Sequence, residues 1–202
     1  MTEKRSTKTI IGLIIAGVLS IIVALGALGY FQFYQTADNL YKQGNVFGEA
    51  PMKDEAYTAV KITGYAKNPI ATIDGGTKLY LIEFSKTDTD DFGYASIEVK
   101  DGDKLIDKLS AADDLVENPV IVAAKIRKSG ADGAIRNYTI EFKDTISENE
   151  TISKLAETEY YVSVYEFDKD RQFAYIVAGI AGIIALVFFY SAFATRKSED
   201  KA

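Results

Sequence analysis

An aspartate-rich turn is the first stretch of the chain whose side chains could bind a ligand. Asp88, Asp90 and Asp91 stand close together there. Carboxylates crowded into a loop are typical ligands of Ca²⁺, an ion that prefers oxygen. The helix-loop-helix calcium pattern is not met, because its fifth and twelfth positions, counted from Asp88, are Phe92 and Val99. A calcium site and a solvated turn therefore both stay open as interpretations.

The side chains that enzymes most often use as nucleophiles and bases are scarce. The chain of 202 residues has no Cys and no His, which excludes thiol nucleophiles, zinc sites built on those residues and imidazole bases. No Gly-x-Ser-x-Gly motif and no glycine-rich phosphate loop is present. So acidic a chain contains many possible pairs of carboxylates, and no single pair therefore indicates a glycosidase. We therefore predict a protein that is not an enzyme and that needs no cofactor.

Three tyrosines close to the predicted strands form a second group of candidate binding residues: Tyr65, Tyr80 and Tyr94. Tyrosine offers an apolar ring for stacking and a hydroxyl group for a hydrogen bond. These residues are therefore candidates for contact with sugars, bases or peptide side chains. The alternative is that the same rings cover the core of a small β-domain.

The central part of the chain is strongly acidic. Residues 35–171 contain 26 Asp and Glu against 17 Lys and Arg, a net charge of −9, while the whole chain has a formal net charge of −6. A domain with that charge repels nucleic acids and anionic lipid surfaces. We therefore expect no nucleic-acid partner.

Two uncharged runs of 22 residues, 10–31 and 173–194, enclose this acidic part. At about 1.5 Å per residue, each is long enough for a helix that crosses a hydrocarbon core of roughly 30 Å. We predict two transmembrane helices, with a cleaved signal peptide as the alternative for the first run. Basic residues, which keep flanking segments in the cytoplasm, stand outside both runs: Lys4, Arg5, Lys8, Arg196 and Lys197. The prediction is a cell-membrane protein with both termini cytoplasmic and the central domain extracytoplasmic.

Each apolar run carries small residues at four-residue spacing, which places them on one face of a helix. Such a face lets another helix approach closely. We therefore predict that the two helices pack through these faces, although glycine and alanine are also common in membrane helices generally. The residues are Gly12, Ala16 and Ser20 in the first run, and Ala174, Ala178 and Gly182 in the second.

Alternation of apolar and polar residues predicts five strands in the central domain, at 57–65, 78–84, 94–99, 119–127 and 135–142. Asp103 can cap a helix that runs to Val116, between the third and fourth strands. After the fifth strand, Ser147 with Glu150 predicts a short helix. Residues 160–167 alternate again and could form a sixth strand.

This order of elements resembles the OB-fold, a small five-stranded barrel that binds ligands on its second and third strands. The resemblance covers about 90 residues and is one of pattern, so another small α+β meander stays open. The predicted fold is an α+β membrane protein in which two transmembrane helices flank an OB-like barrel. Its predicted parts are a cytoplasmic tail (1–9), the first span (10–33), a juxtamembrane helix and linker (34–55), the β-domain (56–145), a return to the membrane (146–171), the second span (172–194) and a second tail (195–202).

The function that these features predict is that of an accessory or scaffolding subunit. It would bind a partner membrane protein through its spans and its outer domain, or associate with itself in the lipid bilayer. The alternatives are a module that binds a cell-wall glycan or a peptide, and a homo-oligomeric membrane assembly. The spans contain no charged residue, which counts against an ion path or proton relay within one copy.

Overall fold

The computed structural model describes residues 3–49, 51–73, 76–86, 91–129 and 150–199. The predicted strand at 135–142, together with Ser147, lies outside these residues. The chain divides into two compact units, one formed by Met1–Tyr34 with Asp170–Ala202 and the other by Gln35–Lys169.

Long helices dominate the first unit. Helix α1 covers Glu3–Gly29 and continues as a π-helical turn at Tyr30–Tyr34, and the long C-terminal helix, α5, covers Val164–Glu199. The segments Thr7–Tyr34 and Val164–Ala194 are long and apolar enough to span a membrane.

The predicted juxtamembrane helix is separate from the N-terminal helix. A new helix, α2, covers Ala37–Lys42 after the π-helical turn. Its start is fixed by Thr36, whose Oγ1 accepts a hydrogen bond of 3.2 Å from the backbone N–H of Asn39. Gly44 follows its end with φ +74°, a backbone conformation that glycine adopts without strain.

The second unit is built on a closed five-stranded barrel. Its barrel strands follow the order β1-β5-β6-β4-β3 and close through pairing of β3 with β1, while β2 pairs only along β3. Neighbouring strands are antiparallel except for β4 and β6, which are parallel. The elements are β1 (Tyr57–Tyr65), β2 (Ala71–Ile73), β3 (Thr77–Ser85), β4 (Phe92–Lys100), α3 (Lys104–Ala111), β5 (Val120–Lys128), α4 (Glu150–Leu155) and β6 (Tyr160–Ser163).

The alternation that predicted the strands places their apolar residues in the barrel core. Val60, Ile62, Ile82, Ile97 and Val162 are fully buried and belong to one cluster. The segment between β1 and β3 contains the short strand β2, which pairs with β3 at three positions. Periodicity is uninformative over so short a segment, so β2 follows only from its pairing.

The alternation along β4 predicts that Ser96 and Glu98 face outward, but both side chains are buried. The cause for Glu98 is a polar cluster between neighbouring strands. Its carboxylate accepts hydrogen bonds of 3.0 Å from Thr77 Oγ1 and 2.6 Å from Ser163 Oγ. Three buried polar side chains thereby satisfy one another, which removes most of the cost of burying them.

Helix α3 begins where Asp103 predicted it and ends earlier than expected. Asp103 Oδ1 accepts a hydrogen bond of 2.8 Å from the N–H of Leu105, whose side chain is buried. The helix stops at Ala111, and Val116 is 71% exposed. The carboxylate of Asp114 explains the difference, because it accepts the N–H of Val116 at 2.8 Å and so forms a turn.

The fifth barrel strand is β6, a segment that the sequence pattern placed beyond the domain. The barrel therefore reaches Ser163, past the predicted end at residue 145. The alternation at 160–167 is strand only to Ser163, and helix α5 follows at once. Ser163 Oγ accepts the N–H of Glu166 at 2.9 Å, so this serine caps the helix that follows.

Candidate functional site

A pocket of about 250 Å³ opens on the barrel across strands β1, β3 and β4. Two of its positions flank Glu83 in the sheet, because Gly64 and Tyr94 are the residues paired with it on either side. The register of β1 on β3 shifts between Ile62 and Gly64, a local irregularity that bends the strand. The lining residues are Gly64, Tyr65, Ala66, Leu81, Glu83 and Tyr94.

Gly64 allows the two strands to come close at the pocket. A Cβ atom at this position would stand 3.3 Å from the Cβ of Glu83, tighter than an ordinary contact. A larger residue would therefore push Glu83 away from β1. Glycine suits this position because it is small, and not because the backbone angles require it.

The carboxylate of Glu83 is the polar centre of the pocket. Its Oε1 accepts a hydrogen bond of 3.1 Å from Thr63 Oγ1, and its Oε2 accepts one of 3.1 Å from Tyr94 Oη. No basic side chain among the described residues forms an ion pair with it. The half-buried negative charge is thus oriented by two hydroxyl groups and neutralised by neither.

Tyr94 keeps its hydroxyl proton in this setting. Partial burial raises the pKa of the Tyr94 hydroxyl, and its hydrogen bond to the Glu83 carboxylate and the charge of that group act in the same direction. The ring of Phe92 packs edge-on against Tyr94 with centroids 5.9 Å apart. Tyr94 therefore acts as a fixed hydrogen-bond donor to the carboxylate.

Helix α3 contacts the side chain of Tyr65. Its Oη lies 2.7 Å from Ser110 Oγ, within hydrogen-bond distance. The contact ties the last residue of β1 to the helix and so fixes the direction of the ring. Tyr65 from β1 and Tyr94 from β4 thus line the same pocket as Glu83.

The three tyrosines predicted to bind a ligand lie in two different environments. Tyr65 and Tyr94 line the same pocket, whereas Tyr80 is 6% exposed and belongs to the barrel core. The residue that sequence reasoning missed is Glu83. A signal for it exists, because Glu83 is the single charge within the apolar run 79–84, and a carboxylate in such a strand is rarely placed without a role.

The acidic turn gives no metal centre in the described part of the chain. Asp88 and Asp90 lie outside the described residues, and Asp91 is exposed. No group of three or more potential metal ligands occurs among the residues that the structure describes. The calcium site remains a prediction for the turn.

Asp101, one strand away from that turn, forms an ion pair instead. Its Oδ1 lies 2.6 Å from Lys78 Nζ. The hydrogen bond to Lys78 lowers the pKa of the Asp101 carboxyl, and the same bond raises the pKa of the lysine. The pair links β3 to the end of β4 at the barrel surface.

A second charged cluster surrounds Arg127 at the end of β5. Its Nε lies 3.2 Å from Glu55 Oε1 without hydrogen-bond alignment, and its Nη1 lies 3.3 Å from Glu166 Oε2. Burial works against the charged form of Arg127, yet Tyr161 and the surrounding carboxylates leave its pKa raised overall. Because acidic partners surround this arginine, it acts as a structural link to the start of α5.

The small residues of the two long helices occupy different environments. Apart from the adjoining residues and backbone of its own helix, no atom lies within 4 Å of a Cβ built at Gly12 or at Gly182. Ser20 Oγ donates a hydrogen bond of 2.9 Å to the carbonyl oxygen of Ala16 in its own helix. In the second helix Ala178 is buried and Ala174 is half-buried.

The contact between the helices involves a different glycine. A Cβ built at Gly17 would stand 2.9 Å from Cζ of Phe189. Near this contact, Ile10 and Ile14 line an apolar crevice of about 240 Å³ with Phe189, Ala192 and Phe193. Packing of the predicted faces against each other stays a prediction.

Comparison with known proteins adds no relative. The chain matches no family model, no curated protein and no solved structure. The barrel pocket and the two apolar helices are therefore the features on which a function can be argued.

Proposed function

We propose that the protein is a non-enzymatic accessory subunit that binds a partner membrane protein. In this proposal both long helices cross the membrane, and the barrel is held on its extracytoplasmic side. The length of the apolar segments supports the spans. The basic residues beyond both runs favour cytoplasmic termini.

The observation that carries the proposal is the open space at glycines of both helices. Outside the adjoining residues and backbone of the same helix, nothing lies within 4 Å of a Cβ built at Gly12, Gly179 or Gly182. A helix of another protein can approach closely at such positions, and close packing is the main source of helix association in lipid.

The partner is tested by co-purification from native membranes in several mild detergents. We expect Gly12→Leu and Gly182→Leu to reduce the recovered partner, because leucine fills the open space. Leu19→Phe is the matched control, since it adds bulk at a large side chain that is already exposed. Recovery of the wild-type protein as a lone monomer in every detergent would exclude an accessory role.

The proposed topology is tested by cysteine labelling, which is clean because the chain has no cysteine of its own. Ser153→Cys, on exposed α4, should react with a membrane-impermeant maleimide on intact cells. Ser198→Cys, in the C-terminal tail, should react only after the membrane is opened. Labelling of Ser198→Cys on intact cells would show the opposite orientation.

A second candidate function is a ligand-binding module, and the barrel pocket favours it. We infer that the barrel is of the OB type, since its helix α3 lies between the third and fourth barrel strands. OB-folds bind their ligands on the second and third strands, which correspond to β3 and β4, and Glu83 and Tyr94 line the pocket from these strands.

The binding module is tested by removing one pocket ring at a time. Tyr65→Ala and Tyr94→Ala should abolish retention on immobilised cell-wall glycan or peptide while the barrel stays folded. Tyr80→Ala is unsuitable for this purpose, because it would empty part of the core. Unchanged retention by both pocket variants would contradict the module.

A further inference from the structure

We propose that the Glu83 pocket binds an alkylammonium group, supplied by a lysine side chain of a partner protein or by a small free amine. The inference rests on the second candidate function, that the barrel is a binding module. It names the chemistry of the ligand from the arrangement of Glu83, Tyr65 and Tyr94.

The charge of Glu83 favours a cationic ligand. Its two oxygens each accept a hydrogen bond from a neutral hydroxyl group, Thr63 Oγ1 and Tyr94 Oη. These donors orient the carboxylate and leave its negative charge in place. Each carboxylate oxygen has a second acceptor position, so the group can still receive an N–H donor from a ligand.

The tyrosines of the pocket also favour a cation. Tyr65 and Tyr94 line the same pocket as Glu83. A tyrosine ring attracts a cation placed over its face, and the attraction grows when water is excluded. A carboxylate that is bonded to Tyr94 in a pocket with a second tyrosine favours a cation with an apolar stem, because the stem can pack on aromatic surface while the charge meets Glu83.

The size of the pocket limits the size of the ligand. The pocket volume is about 250 Å³, below the roughly 300–1,000 Å³ of sites that enclose a drug-sized ligand. One side chain or one small amine is therefore the appropriate ligand. An ammonium needs fewer free acceptor positions than a guanidinium, whose planar fork engages both carboxylate oxygens at once.

The charge of the domain acts in the same direction over a longer range. Residues 35–171 carry a net charge of −9, which raises the local concentration of cations around the barrel. This attraction is not specific to the pocket. It therefore requires a control that changes the net charge elsewhere on the barrel.

The experiment measures binding of Nα-acetyl-lysine methylamide to the full-length protein in nanodiscs by calorimetry. Nα-acetyl-norleucine methylamide is the matched neutral probe, because it keeps the stem and lacks the ammonium. We expect the lysine probe to bind and the norleucine probe to bind at least about tenfold more weakly, since hydrogen bonds to charged groups supply that factor. Equal binding of both probes would overturn the inference while leaving the binding module intact.

Variants then place the probe in the pocket. Glu83→Gln should weaken binding of the lysine probe by about tenfold or more, because it removes the charge and keeps the shape. Glu117→Gln changes the net charge equally at an exposed position outside the pocket and should leave the affinity unchanged. Equal effects of the two substitutions would overturn the pocket assignment. If Glu83→Gln fails to fold, Tyr65→Leu tests the same site through the loss of an aromatic ring.

Two further probes separate the sources of the ammonium and test its identity. Binding of n-pentylamine as tightly as the lysine probe indicates a free amine, and much weaker binding indicates a lysine within a polypeptide. Both results support the ammonium. Tighter binding of Nα-acetyl-arginine methylamide than of the lysine probe would overturn it in favour of a guanidinium.

Discussion

The isoleucine side chains of the barrel are buried, whereas many of those on the long helices are exposed. Ile62, Ile82 and Ile97 of the barrel are 0% exposed, whereas Ile15 and Ile183 of the helices are 54% and 64% exposed. Apolar surface is stable when it is removed from water, either inside a core or in hydrocarbon. The barrel therefore supplies its own apolar environment, and the helices need one from their surroundings.

The largest effect in this comparison should come from isoleucine truncation. Ile97→Ala leaves a cavity in a packed core and should lower the free energy of unfolding of the barrel by about 2–5 kcal/mol. Ile183→Ala removes the same atoms from an exposed helix face and should leave barrel stability unchanged. Thermal unfolding in detergent, followed by far-UV circular dichroism, measures both. Similar losses would show that the two regions do not differ as their burial indicates.

Ser163 lies where strand β6 ends and helix α5 begins, and its substitution tests how much this junction contributes to stability. Its hydroxyl group donates to buried Glu98 and accepts the N–H of Glu166. Ser163→Ala should cost about 2–4 kcal/mol, because it leaves a buried carboxylate short of a donor and removes a helix cap. Ser153→Ala, at an exposed position, is the control and should be close to neutral. A neutral Ser163→Ala would mean that the polar cluster contributes little to folding.

Gly17 tests whether the long helices also have a packed contact of their own. Gly17→Val places side-chain atoms against the ring of Phe189 and should weaken the helix pair by about 1–3 kcal/mol. Gly12→Val meets open space and should be tolerated. Loss of helicity during titration with a denaturing detergent measures both variants. Partial rescue of Gly17→Val by Phe189→Leu would confirm the cause, and equal behaviour of the two glycine variants would refute it.

The smallest expected effect is a change in the stability of the barrel at alkaline pH. Because burial raises the pKa of the Tyr94 hydroxyl, the folded state holds this proton more tightly than the unfolded state. Its contribution is complete below the unfolded pKa of about 10 and is lost as the pH rises through the folded value. Tyr94→Phe should therefore lose less stability than the wild type between about pH 9 and pH 11. Parallel curves from denaturant unfolding would contradict this account.

Local sequence patterns predicted most of the strands and helices, but fewer of the contacts between them. The bounds predicted for β1 are those observed, and the barrel strands β3, β4 and β5 differ from prediction by one or two residues at their ends. Side chains alternate along a strand, so periodicity identifies it directly. The inward and outward faces of β4 were predicted less well, because Glu98 is buried by its neighbours Thr77 and Ser163.

Barrel closure could not be read from the same patterns. The fifth strand is β6, which has only four residues and pairs parallel to β4 and antiparallel to β5. Such pairing depends on residues far apart in the chain. A capping signal was present at Ser163 and Glu166, since serine followed three residues later by glutamate is typical of a helix start.

The sequence by itself determined the two apolar segments, the periodic strands and the acidic character of the domain between them. These properties depend on residues that are neighbours in the chain, so local physical chemistry defines them. The tertiary structure alone decided that Tyr65 and Tyr94 share a pocket with Glu83 while Tyr80 is buried. Those positions are brought together by the register of β1 on β3 and of β3 on β4, and register is set by the packing of the whole barrel.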